Sequence, residues 1–166
     1  MQSIVQFGAG NIGRSLVGQL FAAAGYEVIF VDPVATIVDA LNARRAYTVV
    51  IKDTLPAGAP SEVVVRNVRG IHAGDADGIE AALAACDLAS TAVGAAALPN
   101  VLPLLARAAA RRTTALNVLL CENLRDAAQL ARTRMTELCP HGVVTPAFIA
   151  TSIGKMVPLM PESVRA

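Results

Sequence analysis

The sequence is short of charge. Asp, Glu, Lys and Arg make up 16% of its 166 residues, and the formal net charge is +1. An average soluble domain carries roughly 25% charged residues, so an unusually large share of this chain is expected to be buried, with both faces of a sheet covered. No basic or acidic tract occurs. That removes the electrostatic footprint of a nucleic-acid binder or a membrane-surface protein and leaves small molecules as partners. Cysteine is sparse too. Cys86, Cys121 and Cys139 are odd in number, far apart and without a second ligand at metal spacing, which argues against a disulfide framework and a metal site and for reduced, cytoplasmic thiols. His72 and His141 are isolated, and a lone histidine is more often structural or exposed than catalytic. No secretory leader is read at the start, because Asn11, Arg14 and several glycines interrupt the first apolar stretch. Residues 88–106 carry no charge, but Gly94, Pro99, Asn100 and Pro103 break them, so a strand-loop-helix unit accounts for them better than a membrane span. No linker, repeat or low-complexity segment divides the chain, and one domain is expected.

What is present is an alternation of strand and helix patterns. Residues 3–7 form an apolar run ending at glycine. Leu16, Val17, Leu20, Phe21 and Ala24 then recur at helical spacing, and Gly25 stops the helix. "EVIFV" at 27–31 is a second strand, and Asp32-Pro33 opens a helix whose apolar face is Val34, Ile37, Val38 and Leu41. Between residues 47 and 71 two strand-like runs, "YTVVI" and "SEVVVRNV", flank the turn-rich "KDTLPAGAP" and predict a hairpin-like insertion. Helix is expected again at 77–85, strand at 87–93, helix at 97–112 and strand through "ALNVLLC". A last helix starts at Asn123 or Asp126 and runs to about Leu138, and "GVVTPAFI" is a final strand. This order implies a doubly wound, mostly parallel α/β sheet. A right-handed crossover puts the first two strands side by side, with residues 8–13 and Asp32 on one edge.

Gly8-x-Gly10-x-x-Gly13 follows a strand and opens a helix. Gly8 permits a tight turn, Gly10 leaves room for a pyrophosphate, and Gly13 lets the helix pack on the sheet. Amides at the helix start face the phosphates, with the helix dipole of favourable sign. Ala9, Asn11 and Ile12 lie in the same turn, and Asn11 could also cap the helix. Asp32 comes roughly twenty residues further on, where a carboxylate accepts hydrogen bonds from the adenosine ribose and repels a 2′-phosphate, so NAD is expected over NADP. The bland alternatives are a turn without ligand and an Asp32 that only caps the helix opened by Pro33.

"FGAGNIGR", "DALNARRAY", "TAVG" at 91–94 and "LNVLLCEN" ending at Asn123 together resemble the mannitol-1-phosphate 5-dehydrogenase and mannitol dehydrogenase family over nearly the whole chain. The likeness is closest to the phosphate-sugar branch. The resemblance implies an NAD-dependent polyol dehydrogenase with an N-terminal Rossmann-like domain and a helical C-terminal domain that supplies the catalytic lysine. This chain resembles the first half, so residues 1–166 are read as the NAD-binding domain, with about 151–166 leading toward the second. "TAVG" and "CEN" then border the cofactor groove, which adds Val93, Gly94 and Glu122 to the cofactor residues Gly8, Ala9, Gly10, Asn11, Ile12, Gly13, Asp32 and Pro33. Asn123 faces the substrate oxygen, or caps the next helix. Lys52 and Lys155 do not match the catalytic lysine. Gly154-Lys155 replaces the family's Asp-Arg pair, which puts the identity of the polyol or sugar phosphate in doubt. Two functions follow: the cofactor half of such an oxidoreductase, inactive without the helical domain, or a stand-alone NAD-binding module. A methyltransferase with a similar glycine loop fits less well. An exposed apolar surface, and a homodimer formed through it, are also expected.

Overall fold

The computed structural model describes residues 1–52 and 54–154. The chain runs β1 (Ser3–Phe7), a π-wound helical segment (Gly13–Gly18) continuing into α1 (Gln19–Ala23), β2 (Glu27–Asp32), α2 (Ala35–Arg44), β3 (Ala46–Val50) and β4 (Glu62–Arg66). It goes on through β5 (Val68–His72), α3 (Ala76–Ala85), β6 (Leu88–Thr91), α4 (Leu98–Ala109), β7 (Asn117–Leu120), α5 (Ala127–Leu138) and β8 (Ala147–Ala150). Six of the strands form one sheet in the order β5-β2-β1-β6-β7-β8, every pair parallel. Counted along the chain within the sheet, this is the 3-2-1-4-5-6 order of a doubly wound fold. The chain steps outward from β1 in one direction, then returns to pair β6 with the other side of β1. That reversal falls at β1 and β6, and sheets of this kind bind ligands in a crevice outside the carboxyl ends of the strands at such a point.

Both faces are covered where the strands read as continuous apolar runs. Val5, Phe7, Ile29, Val31, Val118 and Leu120 join one buried cluster with α3, α4 and α5 residues such as Leu83, Leu102 and Met135. Ile4, Val28, Phe30 and Val68 face the other way, against Val17, Leu41 and the hairpin residues Val49 and Val65. The low charge of the sequence thus finds its cause in a sheet clad on two sides. At the far edge the cladding thins: on β8, Ile149 is 42% exposed.

The hairpin insertion is present, with β3 and β4 antiparallel from Ala46↔Arg66 to Val50↔Glu62. Its C-terminal boundary differs from the sequence expectation. "SEVVVRNV" is not one strand, because the chain leaves the hairpin after Arg66 and enters the main sheet at Val68 as β5. The break falls at Asn67, whose φ of 61° is left-handed, a conformation Asn tolerates through local hydrogen bonding. Its side-chain amide donates to the Tyr26 carbonyl at 3.1 Å, and its own carbonyl accepts from Val28 N–H at 3.0 Å. Asp126, not Asn123, holds the N-cap position of α5. Gly154 closes the described residues, and Lys155 and the remainder of residues 155–166 lie outside them.

Candidate functional site

The glycine turn sits at the sheet's reversal point, and each glycine meets a different constraint. Gly8 has a φ of +89°, and a Cβ there would lie 2.5 Å from the Ala92 carbonyl oxygen, so the loops after β1 and β6 approach as closely as backbone allows. A Cβ on Gly13 would collide with the Gly8 carbonyl oxygen, whereas one on Gly10 would meet nothing within 4 Å. Gly10 is exposed while Gly8, Ala9 and Gly13 are buried. Gly10 is therefore the open position in the turn. The helix begins at once, with Arg14 N–H donating to the Gly10 carbonyl at 3.0 Å. A helix start of this kind carries the positive end of the helix dipole, a favourable place for an anion.

Asp32, at the end of β2, is 7% exposed. Its Oδ2 accepts from Ala9 N–H at 2.8 Å and its Oδ1 from Val34 N–H at 2.9 Å. The carboxylate thus ties the glycine turn to the entry of α2, with Pro33 between. An ionised carboxylate has about four acceptor positions, and these two amides occupy one on each oxygen. The expected helix cap is not found in that form: α2 starts at Ala35 with Val34 as its N-cap and no side-chain cap, so Asp32 and Pro33 form the turn before the helix, where the bond from Val34 N–H to Asp32 holds the chain.

Glu122, just past β7, is 8% exposed. Its Oε1 accepts from Val93 N–H at 3.0 Å and its Oε2 from Gly94 N–H at 2.8 Å. Gly94 has a φ of +87°, which lets the two successive amides converge on one anion. The structure thus brings Val93, Gly94 and Glu122 into one braced unit. Asn123 follows Glu122 directly and is exposed at the same strand edge.

Two supporting residues escaped the sequence reading. Gln6 is fully buried in the middle of β1. Its amide donates to the Phe7 carbonyl at 2.6 Å and to that of Gly8 at 3.2 Å, and its Oε1 accepts from the buried Ser90 hydroxyl. A lone polar residue inside an apolar strand was the available signal. His72, set aside as isolated, lies opposite Asp32 in register. Its Nε2 faces the Pro33 carbonyl at 3.0 Å and its Nδ1 accepts from Gly74 N–H at 3.1 Å, so the ring clasps the turn that follows Asp32. Among the described residues there is no cluster of three metal-binding side chains, and no helix is long and apolar enough to cross a membrane.

A parallel sheet in this order, with a glycine turn and a helix start at its reversal point, defines a Rossmann-type nucleotide-binding domain. The chain belongs to the mannitol dehydrogenase Rossmann-domain family, which it matches over residues 2–159. It is 38% identical to mannitol-1-phosphate 5-dehydrogenase of Brevibacillus brevis, across 96% of this chain and 42% of that protein. To the mannitol-1-phosphate 5-dehydrogenase of Lacticaseibacillus paracasei it is 42% identical, across 78% of this chain and 34% of that protein. It therefore spans less than half the length of these curated relatives. Among solved structures, a UDP-glucose dehydrogenase from Pyrobaculum islandicum superposes on 90% of this chain with a TM-score of 0.61 at 18% identity. The TrkA-N domain of an Escherichia coli inner membrane protein covers 89% with a TM-score of 0.55 at 15% identity. At these identities the likeness is one of fold. The family implies a nucleotide cofactor, and the residues present fit one, with open space at Gly10 beside a helix start and a partly committed carboxylate at Asp32.

Proposed function

We propose that the chain is the cofactor half of a polyol-phosphate dehydrogenase of the mannitol-1-phosphate type, and that it takes NAD in preference to NADP. The observation that carries this reading is Asp32, a carboxylate fixed by two backbone amides at the end of β2 with acceptor capacity left over. Such a group accepts from both ribose hydroxyls but meets a 2′-phosphate as a like charge. The amides at the start of the helix after Gly10 hold the pyrophosphate, and the 4 Å of free space at Gly10 admits it. Bound there, the dinucleotide supplies a hydride acceptor at its nicotinamide ring.

The remaining roles fall to the far side of the crevice. Glu122 holds the Val93–Gly94 turn as a wall of the groove. Asn123, exposed beside it, offers an amide N–H to the oxygen of a polyol or polyol phosphate, where negative charge develops as the hydroxyl proton leaves. Lys52 is exposed in the loop after β3 and is not assigned as base. The proton acceptor is assigned to the part of the longer relatives that this chain does not span.

Calorimetric titration of the purified chain with NADH and NADPH, beside an Asp32→Ala variant, tests the reading. NADH is expected to bind at least tenfold more tightly than NADPH, and Asp32→Ala to weaken NADH and narrow the gap. Equal affinities, or a folded chain that binds neither, would overturn it.

A further inference from the structure

The hairpin β3–β4 lies outside the main sheet, yet it reaches the helix that begins at the glycine turn. Tyr47 of β3 donates its hydroxyl to the Arg14 carbonyl at 2.6 Å. Arg14 is also the residue whose N–H donates to the Gly10 carbonyl at 3.0 Å. One residue is thus held at both of its peptide groups, by the hairpin on one side and by the glycine turn on the other. We propose that Tyr47 is a positioning residue for the dinucleotide site: through Arg14 it fixes the π-wound start of the helix, and with it the direction in which the glycine-turn amides point.

Three further observations support this reading, which rests on the dinucleotide site proposed above. Residues Gly13–Gly18 are π-wound, and single π turns inside helices are uncommon and need outside support. The support is aimed at Gly18, where an added Cβ would collide with the Tyr47 hydroxyl and lie 2.6 Å from Phe30 Cζ. A mid-helix glycine otherwise disfavoured is explained by this close approach. The Tyr47 ring is itself fixed by an edge-on contact with Phe30, centroids 5.9 Å apart at 70°.

Tyr47→Phe removes the hydroxyl and keeps the ring. The wild-type and variant chains would be titrated with NADH and, by NMR, with adenosine, which has the ribose but no phosphate. Amide hydrogen exchange would be followed through residues 10–19. Tyr47→Phe is expected to weaken NADH about tenfold, leave adenosine unchanged and speed exchange in the π segment. Unchanged NADH affinity, or equal weakening of NADH and adenosine, would overturn the proposal, the second because a merely structural loss spreads over the whole site. A wild-type chain that fails to bind NADH would overturn the cofactor reading instead, and exchange in the variant would still report whether Tyr47 holds the helix start. Should Tyr47→Phe not fold, Gly18→Ala displaces the same hydroxyl from the helix side and is expected to give the same split.

Discussion

Gly10 and Gly13 lie three residues apart in one motif, and the structure assigns them opposite responses to a single methyl group. Neither has a left-handed φ, so alanine is sterically compatible with both backbones, and the surroundings decide. At Gly10 the methyl meets nothing within 4 Å. Reduced freedom of the unfolded chain then stabilises the fold by about 0.4–1 kcal/mol, which for a chain of this size raises Tm by roughly 2–4 °C per kcal/mol. The same methyl fills the space through which the pyrophosphate reaches the helix start. NADH affinity should fall about a hundredfold, close to 2.8 kcal/mol at 1.4 kcal/mol per tenfold. At Gly13 the methyl collides with the Gly8 carbonyl oxygen and lies 3.3 Å from Gln6 Nε2. Backbone cannot rotate out of the way as a side chain can, so an overpacking cost of about 3 kcal/mol is expected, with a fall in Tm of several degrees. Thermal unfolding without ligand and NADH calorimetry on the two variants separate these effects. A Gly10→Ala chain that binds NADH like the wild type would refute the argument that the dinucleotide approaches over Gly10. A Gly10→Ala chain that melts early would refute the open geometry of the turn itself.

Glu122→Gln leaves one acceptor oxygen for two amides, so either Val93 or Gly94 N–H loses its partner. A loss of about 1–3 kcal/mol is expected in chemical denaturation, with the ratio of NADH to NADPH affinity unchanged, in contrast to Asp32→Ala. His72→Ala removes the clasp on the Pro33 carbonyl and should cost about 1 kcal/mol of stability, measured the same way. Cys86 is buried, and desolvation first of all, against the nearby Arg112 charge, pushes its thiol from 9.0 up to about 11. The folded state therefore holds the proton longer than the unfolded state does. This contribution to stability is whole below pH 9 and is lost progressively by about pH 11, amounting to about 2–3 kcal/mol. Cys86→Ala should flatten that alkaline limb in a pH series of denaturation curves.

The strands and helices were legible because a doubly covered parallel sheet writes itself as apolar runs alternating with helical periodicity. Glycines and the Asp32-Pro33 pair supplied the punctuation. β5 was hidden for the opposite reason. "SEVVVRNV" contains no glycine or proline, and its division at Asn67 is decided by pairing of Val68 onward with β2, a contact local pattern does not record. In the site, the glycine turn and Asp32 could be placed from spacing alone because one crossover links them. Glu122 reached the groove through family likeness, and its bonds to Val93 and Gly94 depend on β6 and β7 being neighbours in the sheet. Besides His72, Gln6 and Gly18 were signals left unread, a polar residue in a buried strand and a glycine in a helix. Each marks a place where the backbone of the cofactor turn is held from below or from the side.

The two walls of the crevice are held by the same device. The turn after β1 is bonded to a carboxylate at the end of β2, the next strand outward. The turn after β6 is bonded to a carboxylate just past β7, also the next strand outward. Each carboxylate answers backbone amides that would otherwise be left without acceptors near the sheet edge. Two negative charges flanking a crevice that is to receive a pyrophosphate look at first unfavourable. The geometry resolves this by position. The amides nearest each carboxylate are bonded to it, while a helix starts after Gly10 with the favourable end of its dipole there. In the proposed complex a pyrophosphate is expected at the turn that has open space, away from both carboxylates. A neutral ribose, which offers donors to an acceptor, is the part of the ligand suited to Asp32. On the proposed reading, the distribution of charge along this edge would order the two chemically different parts of one dinucleotide, the pyrophosphate at Gly10 and the ribose at Asp32.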